Sequence, residues 1–150
     1  MNTIAEYITE LKKLDESLQP FVEISIDAGG DELEANLKNR VFNENADVNG
    51  KGFGVYSPGY KAYRLSVGRD ASRKNLQLTD KMRFGIHFDK QTKELRFRDE
   101  EDAIKGRSNE LYLIKVKGNS FIFDASESEV EKTISVVEEI FNELTNGILN

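Results

Sequence analysis

A chain of 150 residues carrying 21 basic and 27 acidic side chains, net −6, has room for one hydrophobic core and is read as a single domain over residues 1–150. It contains no cysteine, which excludes disulfides, thiolate nucleophiles and thiolate metal sites. No run of about 18 apolar residues occurs, and the N-terminus lacks a basic flank ahead of an unbroken apolar core, so neither a membrane span nor a visible secretion signal is expected.

Taken in order, the chain begins with a helix. Thr3 and Glu6 form a capping box, Ile4, Ile8, Leu11, Leu14 and Leu18 follow at spacings of three and four, and Pro20 ends the pattern. From Phe21 to Asp27, Val22, Ile24 and Ile26 alternate with Glu23, Ser25 and Asp27, which predicts a half-buried strand broken by Ala28-Gly29-Gly30. Asp31 then caps a second helix with the apolar stripe Leu33, Leu37, Val41 and Phe42.

The next stretch differs from the rest. Between Lys51 and Arg83 eight basic residues stand against two acidic ones, a local +6, which leaves −12 on the remainder. Asn49-Gly50-Lys51-Gly52-Phe53-Gly54 has glycine at alternate positions, but no apolar strand precedes it and no helix opening with Lys-Ser/Thr follows. It satisfies neither the dinucleotide nor the P-loop pattern. The tyrosines that follow, Tyr56, Tyr60 and Tyr63, are anchors on a partner or lids on the chain's own core. Their polar neighbourhood favours a partner. The expectation is a long basic loop, about residues 47–75, whose interface residues are Lys51, Phe53, Tyr56, Tyr60, Tyr63, Arg64, Arg69 and Arg73.

Beyond a short strand at Leu76–Thr79, Phe84, Ile86 and Phe88 alternate with polar residues and pair across a turn with Leu95 and Phe97 as a hairpin. Asp99–Arg107 predicts a short helix with acids at its front. Leu111–Lys117 and Ser120–Asp124 predict a second hairpin about Gly118-Asn119. Ser126 and Glu129 open a last helix with Val130, Ile134, Val137, Phe141 and Leu144 on one face, stopped at Asn146-Gly147. The fold class expected is α+β: an antiparallel sheet of about four or five strands, packed by N- and C-terminal helices, with the last helix lying across the sheet.

The search for chemistry returns little. His87, the single histidine, falls on the polar face of its strand, with no second imidazole for a metal site. Asp99–Asp102 are adjacent, unlike the spaced ligands of a calcium loop, and no serine lies in a nucleophile elbow. No enzyme, cofactor or metal is expected.

One resemblance gives these features a setting. The order Arg40-Val-Phe, then Asp47-Val-Asn-Gly-Lys51, then Tyr56-Ser57, then Tyr60 to Arg69 with Arg64 and Gly68-Arg69, then Asn75-Leu-Gln-Leu-Thr79 and Met82, resembles bacteriophage neck proteins. These are the tail-completion or head-to-tail connector proteins, especially of phages of Bacteroidetes hosts; Ala103-Ile-Lys105 through Phe123 and Ser126 to Glu129 look like the family's ending. The resemblance implies a structural virion protein, assembled in the host bacterial cytoplasm into a ring of six or twelve copies. Its partners would be portal, adaptor or tail proteins, and phage DNA would slide past an acidic wall without specific binding. The alternative is a cytosolic module that binds a protein or RNA through the basic, tyrosine-rich loop.

Overall fold

The computed structural model describes residues 4–72 and 81–149. The Thr3 cap, the Leu76–Thr79 strand and Arg73 lie outside them. Among the described residues the chain is mostly helical, with one two-stranded sheet in place of the four or five strands expected. Its elements are α1 (Ile4–Lys38), α2 (Pro58–Ser66), α3 (Lys81–Gly85), β1 (Ile86–Asp89), β2 (Glu94–Phe97), α4 (Glu100–Lys117) and α5 (Glu127–Leu149).

The first correction concerns α1, which is a single helix of 35 residues running through Pro20, the expected strand and the Gly-Gly pair. The apolar residues of this stretch fit two periods at once. Phe21, Val22, Ser25, Ile26, Gly29, Leu33 and Leu37 recur at helical spacing along the covered side, while Ile24 is left exposed. What settles the choice is the packing of α5 along this face. A Cβ on Gly29 would stand 2.4 Å from Val137 Cγ2, and one on Gly30 would stand 2.3 Å from the Phe88 ring. The two glycines are therefore notches in a helix that admit α5 on one side and the hairpin on the other, and this close fit outweighs their poor helix propensity.

α1 ends in a π-helical turn, Asn39–Glu44, closed by Asn45 in the left-handed conformation with φ 55°. The wider turn lets three successive residues, Arg40, Val41 and Phe42, all face inward. Val41 and Phe42 join Leu37, Phe53, Ile86, Leu113 and Ile122 in the core, with Leu95, Phe97 and Phe123 packed against it.

The β1–β2 hairpin forms in the register Ile86↔Phe97 and Phe88↔Leu95. Its turn is tied by the Asp89 carboxylate, which accepts from the backbone N–H of Gln91 at 2.8 Å and of Thr92 at 3.2 Å. Phe97 lies over Gly106 of α4 and meets Phe123 edge to face, with ring centroids 5.2 Å apart.

The second expected hairpin does not exist. α4 starts at the Asp99 cap, whose side chain accepts from Asp102 N at 2.8 Å, and continues through Leu111–Lys117. Leu113 is buried on its inner side while Leu111, Tyr112 and Val116 remain exposed. Gly118-Asn119 is the helix stop: Gly118 has φ 71°, and the N–H groups of both residues donate to the Leu113 carbonyl. Residues 120–124 need no strand partner because the Glu110 carboxylate accepts from Ile122 N at 2.8 Å and Phe123 N at 3.0 Å.

The Ser126/Glu129 capping box opens α5 with both reciprocal bonds in place, and α5 runs on past Asn146-Gly147 to Leu149. It packs along α1 instead of crossing the sheet. Arg40 pairs with Glu129 while Gly29 lies against Thr133 and Val137, so the two helices run antiparallel.

Candidate functional site

The basic, glycine-rich stretch divides into two parts with opposite fates. The first, residues 45–53, is folded against the body around the buried Asp47. One carboxylate oxygen accepts from Asn49 N at 2.9 Å and Lys51 N at 3.0 Å; the other accepts from Ser120 N at 2.9 Å and Asn119 Nδ2 at 3.0 Å. Burial pushes the Asp47 carboxyl up, but these donors outweigh it and hold the group below the usual carboxylate range. Gly50, with φ 81°, makes the turn that lets both N–H groups face the carboxylate.

Lys51 Nζ reaches across to the end of α4, donating to the carbonyls of Lys117 at 3.0 Å and Gly118 at 3.1 Å, where a cation also meets the negative end of the helix dipole. Phe53 is 1 % exposed and belongs to the chain's own core. Arg40 completes the anchorage. Its Nε and Nη2 bond Glu129 at 2.8 and 3.2 Å, Nη2 also bonds the Asp124 carbonyl at 2.7 Å, and Nη1 bonds the Ala46 carbonyl at 3.1 Å. Glu129 thus serves the α5 cap and the buried ion pair together.

The second part, residues 55–72, is presented outward. Ser57 caps α2, with its hydroxyl accepting from Tyr60 N, and Pro58 occupies the first turn, where a missing N–H costs nothing. The spacing 56, 60, 63 is that of one helix face, and the three rings form a row: Tyr56 to Tyr60 5.1 Å edge to face, Tyr60 to Tyr63 5.8 Å tilted. Tyr60 and Tyr63 are exposed, as are Val55, Leu65 and Val67 around them.

Arg64, on the other side of α2, is only 2 % exposed. Its guanidinium lies 4.8 Å from the Tyr56 ring centroid, its Nε donates to the Asp70 carbonyl at 2.8 Å, and its own carbonyl accepts from Arg69 N at 2.8 Å. It is the internal strut that curls residues 64–71 back on themselves, with Ala71 buried behind it. Of the residues read as an interface, Tyr60, Tyr63 and Arg69 lie exposed, Tyr56 is half-buried, Arg64 and Phe53 are buried, and Lys51 is tied to α4.

Two residues outside the expected interface set hold this region, Asp47 as its hub and Asn119 as its partner. An Asx-turn signal, Asp-x-Asn-Gly, marked the first; nothing local marked Asn119, which lies 72 positions away. His87 is half-buried, facing Arg96 across the sheet. Among the described residues no group of three or more His, Cys, Asp or Glu side chains is placed to hold a metal ion, and no helix is long and apolar enough to cross a membrane. No family model matches this chain, and no curated protein or solved structure matches it either.

Proposed function

We propose that the protein is a structural subunit of a bacteriophage neck, a head-to-tail connector or tail-completion protein that assembles as a ring between portal-side and tail-side components. In this reading the outward part of the arm, Tyr56 to Arg69, reaches a neighbouring copy. The observation that carries the proposal is the exposed row Tyr60–Tyr63, which continues through Tyr56 to the buried Arg64. Rigid tyrosines with their ordering cost already met within the subunit suit an interface anchor.

The charge division supports the same reading: a locally basic arm on an acidic remainder suits head-to-tail contacts between identical copies, while an acidic wall repels DNA passing through the ring. Native mass measurement tests it. The wild-type chain should give a closed multiple of subunits, and Tyr60→Ala with Tyr63→Ala should give smaller species with unchanged circular dichroism. A monomeric wild-type chain that retards RNA in a salt-dependent way would replace the ring with an RNA-binding module.

A further inference from the structure

α5 carries an apolar flank that its packing on α1 leaves uncovered. Val130 and Ile134 stand one turn apart and are 42 % and 51 % exposed, although Thr133 and Val137 beside them lie against Gly29. Glu127, Glu131 and Glu138 are exposed too, each three or four residues from one of the two, so they border the same flank with negative charge. This stretch of helix is firmly held. The Ser126/Glu129 capping box opens it, and the buried Arg40–Glu129 pair ties it to the end of α1.

The arm presents the opposite charge. Lys61 and Arg69 are exposed on the segment that bears the Tyr60–Tyr63 row, and among the described residues neither these two cations nor the three glutamates have an ion-pair partner. A ring needs two unlike surfaces on each copy, because a contact that repeats head to tail never pairs a patch with itself. Resting on the ring proposed above, we infer that the arm of one copy lies along this flank of α5 in the next. The Tyr60 and Tyr63 rings, with centroids 5.8 Å apart, cover Val130 and Ile134, which one helical turn separates by about 6 Å, while Lys61 and Arg69 meet the glutamate border. Tyrosines over apolar side chains make the buried centre, and the ion pairs make the rim that fixes direction. The outer face of α4 also exposes Ile104, Leu111 and Val116, but Lys115 stands among them and would meet the arm with like charge.

Charge reversal tests the pairing. In native mass measurement Glu131→Lys with Glu138→Lys, and separately Lys61→Glu with Arg69→Glu, should each give smaller species than wild type with unchanged circular dichroism. An equimolar mixture of the two should assemble again, in even multiples, because each kind of arm then finds an α5 of opposite charge. The chain lacks cysteine, so disulfide trapping gives a second readout: Lys61→Cys and Glu131→Cys chains should cross-link when mixed and oxidised, and neither should cross-link alone. A ring that survives Glu131→Lys with Glu138→Lys, a mixture that stays dissociated, or a cross-link formed by Glu131→Cys alone would overturn the α5 contact and leave the ring standing. A monomeric wild-type chain would remove both.

Discussion

Residues 45–53 and 55–72 follow one another in the chain and each holds two glycines, yet one is clasped and the other presented. The difference lies in where their polar groups find partners. In the clasped part, Asp47 collects four donors, two from its own turn and two from the distant Asn119-Ser120, Lys51 caps α4, and Phe53 fills the core. In the presented part the bonds close locally: Ser57 on Tyr60, Arg64 on Asp70, Val67 on Tyr63. Such local bonds let a segment offer its side chains outward. A segment whose bonds end on α4 and the 118–124 turn cannot.

That contrast can be broken at its strongest point first. Glu129→Ala leaves the Arg40 guanidinium buried without its carboxylate and strips the α5 cap; a loss of about 3–5 kcal/mol is expected, read as a lowered denaturant midpoint. Phe53→Ala should cost a similar ~3–5 kcal/mol as a core truncation, whereas an exposed interface residue there would barely move the melting curve.

Asp47→Asn exchanges a charged acceptor for a neutral amide and should cost about 1–3 kcal/mol. The same group gives a pH test. Its carboxyl is held below the ordinary range in the folded chain, so the stabilisation is fully present above the ordinary carboxylate value and is lost as pH falls through the lowered one. Acid titration of stability should therefore flatten in Asp47→Asn relative to wild type. At the bottom of the scale, Tyr60→Ala with Tyr63→Ala should shift stability by no more than about 0.5 kcal/mol each while abolishing the proposed ring. A large stability loss from that pair would make the tyrosine row part of the body.

The sequence reading succeeded where one signal sufficed. The Ser126/Glu129 capping box with its apolar stripe predicts α5, and strict alternation on both sides of Asp89–Thr92 predicts the hairpin, because in each case capping or period alone selects one structure. It went wrong where a residue type has two uses. Gly29-Gly30 suggests a break and is a packing notch; Gly118-Asn119 suggests a hairpin turn and is a helix cap. The arm has the composition of one interface, although its first part turns inward, since no local pattern announces that Asn119 and Ser120 will meet Asp47.

By itself, then, the sequence determined the starts of α4 and α5, the hairpin about Asp89–Thr92, the segregation of basic charge into one stretch and the apolar stripe of residues 4–18. These depend on near neighbours in the chain, whose spacing is set by backbone geometry. Only the tertiary structure decided that residues 4–38 form one helix, that α4 absorbs an apparent strand, and that Phe53 and Arg64 turn inward while Tyr60 and Tyr63 turn out. Each of those outcomes rests on a contact with a segment or turn that local period and propensity do not encode, and the close packing of the folded chain settled it.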